Sequence, residues 1–250
     1  MNIGGFQKNS LIDFPQTLAC VVFTTGCNFN CPYCHNPDLA AGPVEGAGSA
    51  TGTTMGENFR QGMDQNQIFS FLEKRKGLLD GVAITGGEPT LQPDLYAFIQ
   101  RVRELGFRIK LDTNGTRPKV LARLLEDKMV EYTAMDIKTN LANYPMITRG
   151  KGEKDRIVAR IEESIRLIME KSPSYEFRTT CARPFITEPI MGEIAAMIRG
   201  AEKYVLQNCS RNVRVLDPNF LENESHFFSA EEICALRDIV SGAVSCVEMR

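Results

Sequence analysis

The sequence predicts an α/β fold, an open three-quarter barrel, on three observations. Short β-branched and apolar runs alternate with amphipathic helical stretches, six times in series. Parallel strands need long crossovers, so strand-then-helix units imply a parallel sheet with helices outside. The distinctive polar residues fall just after the apolar runs, at the strands' carboxyl ends, where barrels and open α/β sheets bind ligands. Six units are short of a closed eight-stranded barrel, so a partial (β/α)6 TIM-like barrel is expected first and a doubly wound sheet second.

Taken in order, residues 3–17 contain Gly4-Gly5 and Pro15 and read as a hairpin or irregular lead-in. Leu18 to Thr24 is a buried strand, followed at once by a cysteine-rich loop. Residues 41–62 turn to Gly, Ala, Thr and Ser, with little to bury, and read as a flexible surface insertion. Asp64 is a candidate N-cap with Gln67 at the capping-box position, and Met63 and Ile68 fall where a hydrophobic staple packs. That helix runs to about Lys76. Gly81 to Thr85 is the second strand. Leu95, Phe98, Ile99, Val102 and Leu105 share one helix face, ended by Gly106. Phe107 to Asp112 is the third strand, and Pro118 opens a helix buried through Leu121, Leu124 and Leu125.

Tyr132 to Ile137 is the fourth strand. The next helix spans about Glu153 to Lys171, with Ile157, Ile161, Ile165 and Ile168 on its buried stripe. Tyr175 to Cys181 and Lys203 to Gln207 are the fifth and sixth strands, separated by a helix over Thr187 to Ala201. Ser229 with Glu232 makes a capping box for the last helix, with Phe228 and Ile233 as its staple. The expected organisation is a single domain over 1–250: a strand and cysteine loop at 18–40, the insertion at 41–62, and the remaining units over 63–250.

Composition removes several function classes. A formal charge of −2 gives no broad electrostatic reason to bind nucleic acid or an anionic membrane. Lys74-Arg75-Lys76 is the one compact basic run, and it closes a helix, where cations favour the dipole's negative end. No stretch approaches the ~20 apolar residues of a membrane span. Met1 to Phe14 lacks the pattern of a secretory signal, so a cytoplasmic location is expected. The 8 cysteines are then reduced thiols or metal ligands rather than a disulfide framework. Cys20, Cys181, Cys209, Cys234 and Cys246 have no metal-type spacing and read as small, mostly buried residues. His226 reads as packing or surface.

Cys27, Cys31 and Cys34 are different. Three thiols within eight residues can be aimed at one centre. Cys31-Pro-Tyr-Cys34-His35 matches a haem attachment pattern, which requires export and leaves Cys27 unexplained. Structural zinc held by the three cysteines and His35 fits the ligand types, but no second paired motif supports it. A thioredoxin-like dithiol needs only two thiols. A four-iron cluster with one iron lacking a protein ligand uses all three.

Each strand end has a plain reading beside a functional one. Gly86-Gly87 marks a tight turn, or lets a ligand lie against exposed main chain. Asp112 caps a turn or faces a ligand, and Asp136 pairs with Lys138 or with another charge. With Glu88, Arg178 and Gln207, these positions converge on one face.

The motif C-x3-C-x-aromatic-C with Tyr33, followed by Gly86-Gly87-Glu88-Pro89, resembles the radical S-adenosylmethionine (SAM) superfamily. Ile3-Gly-Gly-Phe-Gln-Lys, Cys34-His35-Asn36-Pro37, Leu111-Asp-Thr-Asn-Gly and Ala134-Met-Asp-Ile-Lys extend the likeness along nearly the whole chain. They resemble the activating proteins of anaerobic ribonucleotide reductase, of the longer type close to pyruvate formate-lyase activating enzymes. The resemblance implies that Cys27, Cys31 and Cys34 hold three irons of a 4Fe–4S cluster while SAM chelates the fourth. Gly86 and Gly87, with Glu88 beside them, would receive the SAM amino group, and Tyr33 would approach adenine through its backbone. Asp112 and Asp136 match positions beside a monovalent cation, Lys138 one near the SAM carboxylate, and Arg178 one contacting SAM.

The implied reaction is reductive cleavage of SAM and removal of a glycine Cα hydrogen from a partner enzyme. A low-potential donor such as flavodoxin or ferredoxin would supply the electron. Residues 41–62 contain no cysteine, so a further cluster domain after the motif is not expected. A radical SAM enzyme acting on a small molecule would share all of these motifs.

Overall fold

A computed structural model describes residues 1–40, 59–60 and 64–250. Its strands are β1 (Ile3–Ser10), β2 (Ala19–Thr24), β3 (Phe59–Arg60), β4 (Gly81–Gly86), β5 (Arg108–Thr113), β6 (Tyr132–Asp136), β7 (Tyr175–Cys181), β8 (Lys203–Asn208) and β9 (Cys246–Met249). They form one sheet in the order β3-β1-β2-β4-β5-β6-β7-β8-β9. From β2 to β9 every neighbouring pair is parallel, while β1 is antiparallel to β2 and to β3.

The crossover helices are α1 (Gln65–Glu73), α2 (Leu95–Glu104), α3 (Pro118–Glu126), α4 (Ile157–Lys171), α5 (Glu188–Met197) and α6 (Ala230–Val240). This is the expected open barrel of six β-α units. The six expected strands and their helices are all present. An antiparallel strand β1 lies on one side and a seventh parallel strand, β9, on the other. Residues 3–17, read as a hairpin or irregular lead-in, supply β1.

Local sequence explains the helix ends. Asp64 caps α1 with both capping-box bonds to Gln67 formed, and Ser229 and Glu232 do the same for α6. Met63, the other half of the first staple, lies outside the described residues. Pro118 and Pro189 sit in the first turns of α3 and α5, where a missing N–H costs nothing. Thr187 caps α5, which ends at Met197 rather than at Ala201. The helix expected from Glu153 is divided: Lys151–Lys154 makes a single turn, and α4 starts at Ile157. Phe59–Arg60 pairs with β1, so part of the span expected to be a flexible insertion is strand; 41–58 and 61–63 lie outside the described residues.

Two-sided burial of the parallel strands sets where the cleft opens. Val82, Ile84, Ile109 and Leu111 face outward into the main core with Ile99, Val102, Leu121 and Leu124 of the helices. Burying each such side chain contributes about 1.5–3 kcal/mol. The alternate, inward residues include Ala19, Ala83 and Ala134, and Phe14 packs with Ala19, Tyr132 and Ala134 at the strands' amino ends. Small inward residues leave room above them, so the interior opens at the carboxyl end. Cys20, Cys181 and Cys209 are buried as expected; Cys234 is half-buried, and Cys246 is exposed because β9 forms the sheet's outer edge. Among the described residues no helix is long and apolar enough to cross a membrane.

Candidate active site at the strands' carboxyl ends

All eleven predicted site residues line one cleft of about 210 Å³: Cys27, Cys31, Tyr33, Cys34, Gly86, Gly87, Glu88, Asp112, Asp136, Lys138 and Arg178. His35, Asn36, Thr85, Thr180 and Gln207 line it too.

The cysteine loop leaves β2 and is tied down on both sides. Asn30 N–H donates to the Ile147 carbonyl at 2.7 Å and Arg149 N–H to the Asn28 carbonyl at 2.9 Å, around a bridge between Phe29 and Thr148. The Arg149 guanidinium reaches the Cys27 carbonyl at 3.5 Å, the Ala40 carbonyl at 3.3 Å and Asn30 Oδ1 at 3.0 Å. The loop therefore has the same anchor at its start, middle and end. Tyr33 is buried, with its ring packed on Phe185 and Phe220 and its hydroxyl 3.5 Å from the Lys138 carbonyl. His226, outside the cleft, stacks on Phe220 at 4.3 Å, which is the packing role expected of it.

Burial pushes the Cys27 thiol up to about 11 and the Cys31 thiol up to about 12. Such thiols keep their protons until a soft cation takes the proton's place. Phe29 N–H points at Cys27 Sγ at 3.4 Å and Asn114 Nδ2 lies 3.9 Å from it, contacts that suit a thiolate. Among the described residues no three Cys, His or carboxylate groups converge on one metal-ion position. A multi-iron cluster asks for something else, one thiolate per iron around a shared opening, and three thiols around one cleft fit that demand.

The glycine pair has a reason that the sequence reading did not contain. A Cβ on Gly86, which has φ of +112°, would sit 2.5 Å from the Thr24 backbone; one on Gly87 would sit 2.3 Å from the Gly26 carbonyl oxygen. Gly87 N–H bonds the Thr24 carbonyl, and Glu88 N–H the Gly26 carbonyl, each at 2.8 Å. The absent side chains thus admit the protein's own main chain, and the end of β4 is laced to the start of the cysteine loop.

Glu88 braces the same corner. Its carboxylate, 1% exposed, accepts from Thr90 N–H at 3.0 Å, Thr113 Oγ1 at 2.8 Å and Asn114 N–H at 2.6 Å, and also from the Thr90 hydroxyl. Burial raises its pKa, and these donors partly offset the rise. Asn114 carries the brace onward to Asn28 at 2.9 Å, in the cysteine loop.

On the floor, charges alternate across three strands. Arg178 Nε donates to Asp136 Oδ1 at 2.8 Å and its NH1 to Asp112 Oδ2 at 3.2 Å. Lys138 Nζ meets Asp136 at 3.0 Å, and Lys110 pairs with Asp112. Burial opposes ionisation of both acids, but Arg178 with Lys138 or Lys110 overcomes it and holds each carboxyl below the usual carboxylate range. The same pairing raises the Lys138 and Arg178 pKa values against the effect of burial. Of these five groups Lys110 alone does not line the cleft, and both cations that do, Lys138 and Arg178, are paired with the two acids.

Sequence reasoning missed Arg149, because Thr148-Arg-Gly has no periodicity or motif around it. It also gave Asn28, Thr113 and Asn114 no role, although Thr113 and Asn114 lie inside a quoted motif.

A partial barrel with a three-thiol loop and a charged floor in one cleft defines a cluster-dependent barrel enzyme. The chain belongs to the radical SAM superfamily, whose family model matches residues 21–171. It is 31% identical over 206 residues to MJ1227 of Methanocaldococcus jannaschii, a candidate glycyl-radical enzyme activating enzyme, covering 82% of this chain and 78% of that one. It is 31% identical over 140 residues to the pyruvate formate-lyase-activating enzyme of Streptococcus mutans, covering 54% and 49% of the two chains. A candidate GTP 3′,8-cyclase of Pyrococcus abyssi is 30% identical over 154 residues, covering 61% and 45%. The chain therefore spans about half the length of these last two relatives. Streptococcus suis SuiB bound to its precursor peptide shares the fold, with a TM-score of 0.60, 13% identity, and coverage of 92% of this chain and 48% of that one. Superfamily membership makes this a radical SAM enzyme and implies a 4Fe–4S cluster and SAM as its cofactors.

Proposed function

We propose that this chain activates a glycyl-radical enzyme, with anaerobic ribonucleotide reductase as the first candidate partner. When bound, the cluster and SAM supply a 5′-deoxyadenosyl radical that takes the Cα hydrogen of a partner glycine. Cys27, Cys31 and Cys34 hold the cluster. Gly86, Gly87 and Glu88 form the wall beside the SAM amino group, and Tyr33 approaches the adenine through its backbone. Lys138 and Arg178 are the cations that would meet the SAM carboxylate, giving up part of their pairing with Asp112 and Asp136 to do so. Asp112 and Asp136 are the residues that would border a monovalent cation, which would compete for their oxygens with Arg178, Lys110 and Lys138. A cytoplasmic flavodoxin or ferredoxin delivers the electron.

The observation that carries this reading is the commitment of the cleft's cations. Among the described lining residues Lys138 and Arg178 are the lysine and arginine, and both are paired with carboxylates. A triphosphate substrate calls for free Arg or Lys groups, whereas a neutral glycine in a polypeptide needs none. The similarity to a GTP 3′,8-cyclase supports a second reading, a small-molecule substrate.

One experiment separates the two. The anaerobically reconstituted chain is reduced with SAM and mixed with anaerobic ribonucleotide reductase. A glycine-centred EPR doublet is expected; cleavage of SAM without a doublet from any glycyl-radical protein would sink the activase reading.

A further inference from the structure

Among the polar side chains of the cleft that belong to none of the networks above, two stand side by side. Thr180 on β7 and Gln207 on β8 are register partners in the parallel ladder, and both line the cleft. Thr180 is two residues beyond Arg178, so it shares that residue's inward face, one layer nearer the opening. Neither side chain has a hydrogen-bond partner among the described residues. The adjacent Thr179 makes the contrast plain. It faces outward, donating to the Ile137 carbonyl at 2.7 Å and accepting from the Tyr204 hydroxyl at 2.6 Å. Where a hydroxyl on this strand is structural it is bonded on both sides, and Thr180 is left open.

We infer that Thr180 and Gln207 form a reader for the main chain of the glycine-bearing segment, hydrogen-bonding the peptide groups that flank the attacked residue. This inference rests on the activase reading and gives its substrate a chemical handle. A carboxamide offers donor and acceptor together, the complement of a peptide unit, and a hydroxyl serves either sense. Both are uncharged, as suits a glycine segment with no side chain to recognise. Neighbouring strands lie about 4.8 Å apart, so the two groups reach consecutive peptide units of one extended segment. The pair lines the same cleft as the three thiols, so a segment held there is presented to the cluster's side of it.

The test uses the full reconstituted chain and a glycyl-radical reductase that gives a doublet with the wild type. Thr180→Val and Gln207→Leu keep volume and remove polarity. Each is expected to raise the KM for the reductase about ten-fold, with kcat within about three-fold and SAM affinity within about two-fold. Thr180→Ser, which keeps the hydroxyl, should restore the KM. An unchanged KM in both variants, or a ten-fold loss of SAM affinity measured by equilibrium dialysis, would overturn the inference while leaving the activase reading intact. A wild-type chain that yields no doublet with any glycyl-radical protein would remove that reading and this inference with it.

Discussion

Arg178 and Asp136 are register partners across the β6–β7 ladder, and the guanidinium Nε donates to the carboxylate at 2.8 Å. The same guanidinium reaches Asp112 on β5, so one side chain cross-ties three strands beneath the cleft. The side chains of all three residues are a quarter exposed or less. Replacing Arg178 by Gln leaves two carboxylates facing one another with only Lys110 and Lys138 at the flanks. A loss of about 3 kcal/mol is expected from urea unfolding of the apo chain at neutral pH, the order found when a buried ion pair loses one member.

The same cross-tie fixes a pH response. Asp112 and Asp136 have folded-state pKa values below the unfolded carboxylate value of about 3.9. Their contribution is therefore complete above that pH and is lost as pH falls through the folded values. The contribution of these two groups to the urea midpoint should hold steady from about pH 7 to pH 5 and fall below about pH 4. In Arg178→Gln the fall attributable to these two groups should be smaller; an identical acid limb in both proteins would contradict the assignment.

Gly87→Ala tests the lacing of β4 to the cysteine loop. The new Cβ would stand 2.3 Å from the Gly26 carbonyl oxygen, a backbone atom that cannot rotate away. The loop must shift or the strand end must open. A loss of about 3 kcal/mol or more in thermal or urea unfolding is expected, with fewer irons retained per chain after reconstitution. Normal iron content at full stability would mean that the corner is more compliant than its geometry implies.

How far this was legible in the sequence depends on how local each cause is. Helix caps at Asp64 and Ser229, the apolar stripes of α2 and α4, and the buried strands were readable because each is set within a few residues. The strand β9 was not: Cys246 to Met249 is short and largely exposed, and only pairing with β8 defines it as strand. The gathering of eleven site residues was legible because they share the strands' carboxyl ends, which topology alone brings together. The reason for Gly86-Gly87 was not legible, because the atoms that a Cβ would strike belong to Thr24 and Gly26, about sixty residues earlier. The same holds for Arg178, whose two acidic partners come from other strands.

Glu88 offers a test of bracing as distinct from charge. Its two oxygens accept from backbone N–H groups of Thr90 and Asn114, which have no other role to turn to. In Glu88→Gln one oxygen becomes an NH2 group that must face one of these donors. About 2 kcal/mol of destabilisation is expected, together with disorder in the Asn114–Asn28 contact behind the cysteine loop. Glu88→Asp, which keeps both acceptors on a shorter stem, should lose stability as well, since the reach to Asn114 at 2.6 Å fails. Equal stability of the Glu88→Gln variant and the wild type in urea would show that the charge and both acceptor positions are dispensable.

Arg149 separates holding the cysteine loop from holding the fold. Its guanidinium bonds the Cys27 and Ala40 carbonyls and Asn30 Oδ1, three points spread along the cysteine loop and its exit. It lies outside the ion-pair floor and the main core, so Arg149→Ala should unfold in urea within about 1 kcal/mol of the wild type. The cluster should suffer more than the fold. Groups that orient metal ligands are worth about ten-fold or more in metal affinity, so iron should pass to a chelator about ten-fold faster from the variant. Arg149→Lys keeps the charge but not the planar fork that spans three acceptors, and it should recover only part of the loss. Full recovery with lysine would assign the effect to charge; equal rates in all three proteins would mean that the loop's other ties, the Phe29–Thr148 bridge and the Asn114–Asn28 contact among them, hold it without Arg149.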